Sequence, residues 1–416
     1  MDITYQANHW ILPNGLRLVV QSIPTSKIVV VNTMYHVGSA NEDPSQTGIA
    51  HLLEHIMCAG SVNIPSYDSL LQQSGGTNNA YTTWDVTSYW SRLPATKLEV
   101  GLWIESQRMS APKFNKHTID TQRKVVIEEF KQVCLAKPYG DVWHHLLPLA
   151  YQEHPYQWPV IGKEIGHIEN IAGNNIVQFY ERYYHPENAV LSIVGGINPH
   201  EAYQLAKKWF ASETKAEYKK PKLPQEATQQ EVRKIRITGN VPQDAIYMAY
   251  KMAGRCDSQY LPTQVLNTIL GEGESSWFRV ELVEKQKLFN SVQAYTFDTI
   301  DPGLLVIVGK PVKGVSLEKA EQYIQAACHQ LIHEGIQTDK LTKACHQIEA
   351  DYRFSQIHAT DQADFVAWST ILEDPNFFER EIARLNNITP KIVKNVAKHT
   401  FLDKNKSTLY YAKKTE

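Results

Sequence analysis

The chain has 416 residues, of which 43% are hydrophobic and 21% charged, and its formal net charge is −2. This length predicts two or three domains, and the composition is typical of globular proteins and excludes disordered and fibrous ones. The near-neutral charge argues against a nucleic-acid partner, because binding phosphates requires a concentrated basic surface.

The cysteines and the hydropathy pattern indicate the cellular compartment in which the protein is expected. Five widely spaced cysteines contain no Cys-x-x-Cys pair, so they predict neither a disulfide framework nor a cysteine zinc site. The first residues lack a basic region followed by an apolar one, and no apolar run has the length of a membrane span. We therefore expect a cytoplasmic protein without a membrane span.

Strands are predicted at the start of the chain. Asn14-Gly15 lies between two apolar runs and is a strong hairpin signal. Residues 28–34 are rich in β-branched side chains and suit a central strand.

The next segment predicts an amphipathic helix that carries a metal motif. Its apolar residues recur at i, i+3, i+4 and i+7. They are Ile49, Leu52, Leu53 and Ile56. On another face His51 and His55 lie one turn apart, close enough to hold one zinc ion, with Glu54 beside them. The alternative is a surface helix with two solvated histidines.

A glycine turn then leads into residues with high strand propensity, among them Asn79, Ala80, Tyr81 and Thr82. One interpretation is an ordinary sheet strand. The other is an edge strand beside the metal, whose free N–H and C=O groups would bind an extended peptide by strand addition. On the second interpretation these four residues bind the substrate.

A third metal ligand is predicted on a later helical segment between Thr121 and Cys134. At 100° per residue Glu129 lies among apolar side chains that include Val125 and Val126, whereas Glu128 lies off that face. A carboxylate in such a place is costly to bury unless it is paired, hydrogen-bonded or metal-bound. Glu129 is therefore the candidate ligand, and the alternative is a core-edge glutamate paired with an arginine.

Composition divides the chain into halves. The segment from Thr214 to Gln230 is dense in Lys, Glu, Gln and Pro and predicts a linker. The order strand, strand, helix recurs after it, which suggests an internal duplication. We predict a zinc-binding domain over 1–213, a polar linker over 214–231 and a homologous domain without a metal site over 232–416. Each half is expected to be α+β, an antiparallel sheet with helices packed on one face, in a clam-shell arrangement.

With these residues in place, the chain resembles the pitrilysin and mitochondrial-processing-peptidase family, whose zinc motif is the inverted His-x-x-Glu-His. The resemblance covers nearly the whole chain. Its short matches are Asn14-Gly15, Gly38-Ser39, Gly48 to His55, Asn79 to Thr82, Val126 to Glu129 and Tyr183 to Leu191. The resemblance implies one zinc ion per chain, bound by His51, His55 and Glu129, with Glu54 as the general base.

The chain departs from the family pattern in two places. Gln122 occupies a position where members often carry a supporting glutamate; it can hydrogen-bond but supplies no charge. Val283 and Asn290 stand where members with a complete second half carry an arginine and a tyrosine that contact the substrate and the oxyanion. Loss of an oxyanion donor costs about 3–4 kcal/mol of transition-state stabilisation.

We therefore expect a homologous partner chain to supply the missing pair in a heterodimer, and a homodimer is the less favoured assembly. Arg279 and Tyr295 are local alternatives, although their spacing differs from that of the family pair.

The predicted function is a zinc-dependent endopeptidase subunit that hydrolyses peptides held extended in a chamber. The rival is a non-catalytic binding or scaffold subunit that keeps the metal for stability. Glu54 favours the endopeptidase over the scaffold subunit, because a structural zinc site does not require a general base.

Overall fold

The computed structural model describes residues 7–210, 218, 220–374 and 376–414. Residues 1–6, whose composition entered the predicted location, lie outside this part of the chain. So do residues 211–217 and 219, which include the start of the predicted linker.

The described residues form two sheets and a larger number of helices. The strands are β1 (Asn8–Ile11), β2 (Arg17–Ser22), β3 (Ile28–Tyr35), β4 (Thr77–Thr82), β5 (Thr87–Pro94), β6 (Ala189–Gly195), β7 (Arg233–Gly239), β8 (Ala245–Lys251), β9 (Phe289–Thr296), β10 (Leu304–Pro311) and β11 (Lys406–Lys413). The α-helices are α1 (Ile49–Ala59), α2 (Tyr67–Gln73), α3 (Leu98–Ser110), α4 (Lys116–Phe130), α5 (Val142–Ala150), α6 (Ile165–Asn170), α7 (Gly173–Tyr183), α8 (Pro199–Phe210), α9 (Tyr260–Gly271), α10 (Leu317–Glu334), α11 (Thr338–Phe354), α12 (Ala359–Ile371), α13 (Phe377–Leu385) and α14 (Pro390–Thr400).

The chain divides into two compact units, each of which takes a segment from the other half of the sequence. The first unit consists of Met1–Phe130, Pro159–Leu223 and Arg353–Phe377. The second consists of Lys131–Trp158, Pro224–Tyr352 and Phe378–Glu416. The domain boundaries inferred from composition stay a prediction.

The first unit contains a six-stranded sheet in the order β1-β2-β6-β3-β5-β4. Only β2 and β6 run parallel, and the other neighbours are antiparallel. The predicted Asn-Gly turn joins β1 to β2, with Gly15 at a φ of +90° that favours glycine. β3 is the predicted central strand, and it is buried after its first residue. β4 lies at an edge, paired with β5.

Helices cover both faces of this sheet. On one face α3 approaches β3 and β5 so closely that a Cβ on Gly101 would lie 2.9 Å from side-chain atoms of Val31 and Leu93. On the other face α12 packs against β3 and β6, in a cluster that includes Val30 and Ala363. The sequence predicted helices on one face of this sheet. The structure adds α12 on the other face, and this helix comes from the second half of the sequence.

The second unit contains a five-stranded sheet in the order β7-β11-β8-β10-β9, with β7 and β11 parallel. Its main core lies on the face that carries Met248 and Tyr410, against α9, α10 and α14. α5 packs on β8 and β11, where Ser407, on the face opposite Tyr410, contacts the Leu149 carbonyl. Here too one helix from the other half of the sequence covers the second face.

The two sheets share a strand order, since β2-β6-β3-β5-β4 corresponds to β7-β11-β8-β10-β9. This correspondence supports the predicted internal duplication, and the α+β class is confirmed. Among the helices that the structure describes, none combines the length and the apolarity needed to span a membrane.

Candidate metal centre

The helix α1 presents the metal motif as its periodicity predicts. The four apolar residues of the stripe are at most 4% exposed, whereas His51 and His55 are partly exposed. The helix begins after Gly48, which has a φ of +91°. A Cβ there would lie 2.9 Å from the Ile161 carbonyl oxygen, so a larger residue would displace the start of the helix.

A carboxylate that the sequence analysis did not identify caps this helix. Glu42 is 6% exposed. Its two oxygens accept hydrogen bonds from the backbone N–H groups of Gly48, at 3.0 Å, and Ala50, at 2.9 Å. A negative charge is favourable at a helix N-terminus because the first N–H groups lack partners within the helix. The available signal was an acidic residue upstream of a helix whose N-cap, Gly48, has no side chain to accept these bonds.

The predicted metal ligands lie together. Glu129 Oε2 lies 3.3 Å from Nε2 of His55 and 3.8 Å from Nε2 of His51. One ligand atom from each of the three residues lies within 4.8 Å of the others, and the described residues contain no other such group. Two imidazoles and one carboxylate form the donor set of many catalytic zinc sites, in which a fourth position stays open. The donor set therefore fits zinc.

The electrostatics of these groups also suit a metal. Burial lowers the pKa of His51 to about 4, assisted by His55 and opposed by Glu129. His51 is thus neutral near pH 7, the form in which imidazole binds metals. The hydrogen bond from His55 lowers the pKa of Glu129, which therefore stays ionised.

Glu54 lies beside this group and is held by the edge strand. Its Oε2 accepts a hydrogen bond of 2.6 Å from the Thr82 hydroxyl. Burial raises the pKa of Glu54, while the bond from Thr82 and the proximity of His55 lower it in part. A carboxylate with a raised pKa is a better proton acceptor than an ordinary surface glutamate.

The turn between β4 and β5 is fixed to the segment that precedes Glu42. The backbone N–H of Ser39 donates to the Thr83 carbonyl at 3.1 Å, and that of Ala40 donates to the Trp84 carbonyl at 2.9 Å. A Cβ on Gly38 would lie 2.3 Å from the Thr83 oxygen, so this contact requires glycine. One continuous segment, residues 38–42, thus both contacts the turn of the hairpin and caps α1.

The four residues predicted to bind substrate have different surroundings. Asn79 is exposed, and its Oδ1 accepts from the N–H of Ala80. Thr82 holds Glu54. The Tyr81 hydroxyl donates to Asp364 on α12 at 2.6 Å, so this hydroxyl is already engaged.

Glu129 lies on a less buried face of α4 than its sequence pattern predicts. Val126 is fully buried, but Val125, predicted on the same apolar stripe, is 45% exposed. The Glu129 side chain is 39% exposed. Glu129 therefore lies at the rim of the buried face, where the side chain of His55 donates a hydrogen bond to its carboxylate. Gln122 is partly exposed on α4, and no hydrogen bond among the described residues joins it to Glu129.

The positions of the missing pair lie in the second unit. Val283 packs partly buried against the core of that unit. Asn290 donates to the Gln243 side chain at 3.0 Å. Of the local alternatives, Arg279 forms ion pairs with two glutamates at 2.5 and 3.2 Å, and Tyr295 packs against aromatic rings. Each therefore has partners within its own unit.

Comparison with known families gives two adjoining matches. Residues 17–164 match the sequence profile described as insulinase (peptidase family M16). Residues 170–348 match the profile described as the peptidase M16 inactive domain.

Individual relatives agree with these matches. A zinc protease named PqqE from Helicobacter pylori is 28% identical over 86% of this chain and 81% of its own length. A probable mitochondrial-processing peptidase subunit beta from Arabidopsis thaliana is 22% identical over 94% of this chain and 76% of its own length.

Solved structures have the same fold. The crystal structure of a protease from Helicobacter pylori matches with a TM-score of 0.92 and 25% identity over 98% of this chain and 99% of its own. Pitrilysin matches with a TM-score of 0.78 and 18% identity over 99% of this chain and 45% of its own. The chain therefore belongs to peptidase family M16, which confirms the family predicted from its sequence.

Proposed function

We propose that this protein is a zinc-dependent endopeptidase subunit. The observation that carries the proposal is the approach of Glu129 Oε2 to the Nε2 atoms of both histidines of α1, next to a glutamate that the Thr82 hydroxyl holds. The names of the relatives, zinc protease among them, support the same class of enzyme.

In this proposal His51, His55 and Glu129 hold one zinc ion per chain. When bound, the ion supplies Lewis acidity at a coordination position that three protein ligands leave open. Gln122 is the proposed outer residue that supports this set.

Glu54 is the proposed general base. Its carboxylate accepts a proton from the attacking water and returns a proton to the leaving amine. Thr82 orients this carboxylate through the 2.6 Å hydrogen bond. Burial of Glu54 weakens the solvation of its carboxylate and raises its pKa, which makes it a better proton acceptor.

The peptide is proposed to lie along β4. This strand pairs with β5 along one edge, which leaves the N–H and C=O groups of its other edge for an added strand. Asn79 to Thr82 lie in the strand, and its last residue contacts Glu54. A bound backbone would therefore run past the proposed base.

We further propose that a homologous partner completes the enzyme as a heterodimer. Val283 has no hydrogen-bond donor in its side chain, and the Asn290 side chain is already bonded to Gln243. Arg279 is paired with acidic residues. The relative from Arabidopsis is named as one subunit of a peptidase, which is consistent with a shared active site.

The proposal is tested by measuring zinc content and cleavage of labelled casein for the chain alone and with a co-expressed homologous chain. Glu54→Gln is expected to keep zinc and to lose hydrolysis, whereas Glu128→Gln, an exposed neighbour of the proposed ligand, should keep both. Unchanged cleavage by the Glu54 variant would refute the base. Full turnover by the lone chain would refute the need for a partner. Zinc binding without cleavage in any combination would favour a scaffold subunit.

A further inference from the structure

Tyr81 and Thr82 are consecutive residues of an edge strand, and their side chains point to opposite faces of the sheet. Thr82 bonds to Glu54 on α1. Tyr81 bonds to Oδ1 of Asp364, at 2.6 Å, on α12. The two residues thus hold β4 from both faces, one step apart along the strand.

Among the described residues, the hydrogen-bond donors near the Asp364 carboxylate are the hydroxyl groups of Tyr81 on β4 and Ser88 on β5. Asp364 is partly buried, and burial raises the pKa of its carboxyl group, while the hydrogen bond from Tyr81 lowers that pKa in part. The Ser88 hydroxyl lies 3.3 Å from Asp364 Oδ1 but 2.8 Å from the Asn32 side-chain oxygen. A hydroxyl has one proton, so Ser88 serves Asn32 at the shorter distance, and Tyr81 is the principal donor to Asp364.

An edge strand needs such anchors if it is to accept another strand. β4 has a hydrogen-bonded neighbour on one edge, so its backbone is held less firmly than that of a strand inside the sheet. A strand that bends or shifts by a fraction of an ångström lengthens every hydrogen bond to an added peptide. α12 packs on β3 and β6 in the interior of the sheet, and is therefore a firm base for the anchor.

We propose that Asp364 is a positioning residue for peptide binding, which acts through the Tyr81 hydroxyl to hold β4 in the form that accepts an extended peptide. This inference rests on the proposed function. It changes the role expected for Tyr81, whose hydroxyl holds the strand and does not contact the peptide. It also gives the second half of the sequence a part in the substrate site of the first.

The test measures binding of fluorescently labelled casein, an unfolded polypeptide, to the zinc-loaded full chain carrying Glu54→Gln, with its partner where turnover requires one. Adding Tyr81→Phe or Asp364→Ala is expected to weaken binding about tenfold, the size expected for one buried hydrogen bond to a charged group. The double variant should bind no more weakly than either single variant, because both remove the same bond. Asp364→Asn keeps an acceptor oxygen and should restore binding.

A matched control separates strand positioning from general loosening of α12. The Gln362 side chain, also on α12, bonds to Gln21 on β2 at 2.6 Å, away from β4. Gln362→Ala is expected to lower the thermal midpoint as the anchor variants do, but to leave casein affinity unchanged. In the chain with Glu54 intact, Tyr81→Phe should raise KM with little change in kcat.

Two negative results have different meanings. If the anchor variants bind casein as tightly as their parent, or if Gln362→Ala weakens binding equally, the positioning role is wrong while the proposed function stands. If the parent itself binds no casein with zinc present, the proposed function fails and the positioning role fails with it.

Discussion

Thr82 Oγ1 and Glu54 Oε2 lie 2.6 Å apart, and this hydrogen bond joins the last residue of the edge strand β4 to the helix that carries both histidines. The proposed peptide site and the proposed base are thereby coupled through one hydroxyl group. A change in the strand therefore reaches the base directly.

Thr82→Val should reduce kcat without loss of zinc, because it removes the donor that orients Glu54 and keeps the shape of the side chain. We expect a fall of about tenfold, less than the roughly 100- to 10,000-fold for loss of a general base. Steady-state cleavage assays with zinc analysis measure it. Thr82→Ser retains the hydroxyl and should stay near the parent rate, and Thr77→Val, exposed in the same strand, is the neutral control. Equal rates for valine and serine at position 82 would contradict the role.

Glu129→Gln should weaken zinc binding more than Glu128→Gln, because only Glu129 lies within 4 Å of both imidazoles. We expect zinc affinity to fall by more than about 100-fold. Loss of a direct ligand should exceed the effect of losing an outer-sphere partner, for which about 100-fold is the upper end. Competition with a chromogenic chelator measures the affinity. Zinc at 100 times its Kd for the parent should also stabilise the parent by about 2.7 kcal/mol, and the same zinc concentration should stabilise Glu129→Gln by less than about 0.4 kcal/mol. Equal affinities for the two variants would exclude Glu129 as a ligand.

Glu42→Ala should destabilise the fold by about 1–2 kcal/mol, because two backbone N–H groups at the start of α1 lose their charged acceptor. Guanidinium unfolding measures the change. Asp43→Asn is the control, since the Asp43 side chain is exposed and, among the residues that the structure describes, accepts hydrogen bonds from Ser45; its effect should stay within about 0.5 kcal/mol. A larger loss for Asp43→Asn than for Glu42→Ala would contradict the capping role.

The second unit allows a prediction about pH. Burial alone would raise the pKa of Glu321, but hydrogen bonds from Lys234, Lys406 and Tyr410 outweigh it and hold the pKa at about 2. This pKa lies below the usual glutamate value, so the ionised form stabilises the fold above the unfolded pKa of about 4.5. That stability is lost as the pH falls towards 2.

Glu321→Gln should therefore cost about 3 kcal/mol at pH 7, and the difference from the parent should shrink between pH 4.5 and 2. Denaturant unfolding at several pH values measures it. Glu318 lies one turn earlier on α10, and Glu318→Gln is the control. It removes an exposed ion pair with Arg236, and such a pair contributes about 0–1 kcal/mol. A difference between parent and Glu321→Gln that does not vary with pH would overturn this account.

Local elements followed closely from the sequence. The Asn14-Gly15 turn, the central strand β3 and the helix α1 were predicted from patterns within a few residues, and all three are present. Each depends on dihedral preferences and on the period of the apolar residues, which are encoded locally. The parallel pairs β2–β6 and β7–β11 were not predicted, since pairing between strands distant in sequence leaves no local pattern.

Prediction was weaker where a contact joins separate elements. Glu129 was selected as if it lay within a buried stripe, but its side chain is 39% exposed. Its proximity to the histidines comes from the packing of α1 against α4. A helical wheel describes one helix and cannot say which neighbour covers each face. The exposed Val125 shows the same limit.

The sequence by itself determined that His51, Glu54 and His55 share one side of an amphipathic helix, because the 3.6-residue period sets which side chains are neighbours on it. The tertiary structure alone decided that Thr82 holds Glu54 and that Asp364, some 280 residues from the strand it contacts, holds Tyr81. Those contacts depend on how sheets and helices distant in sequence pack, and packing is a property of the whole fold.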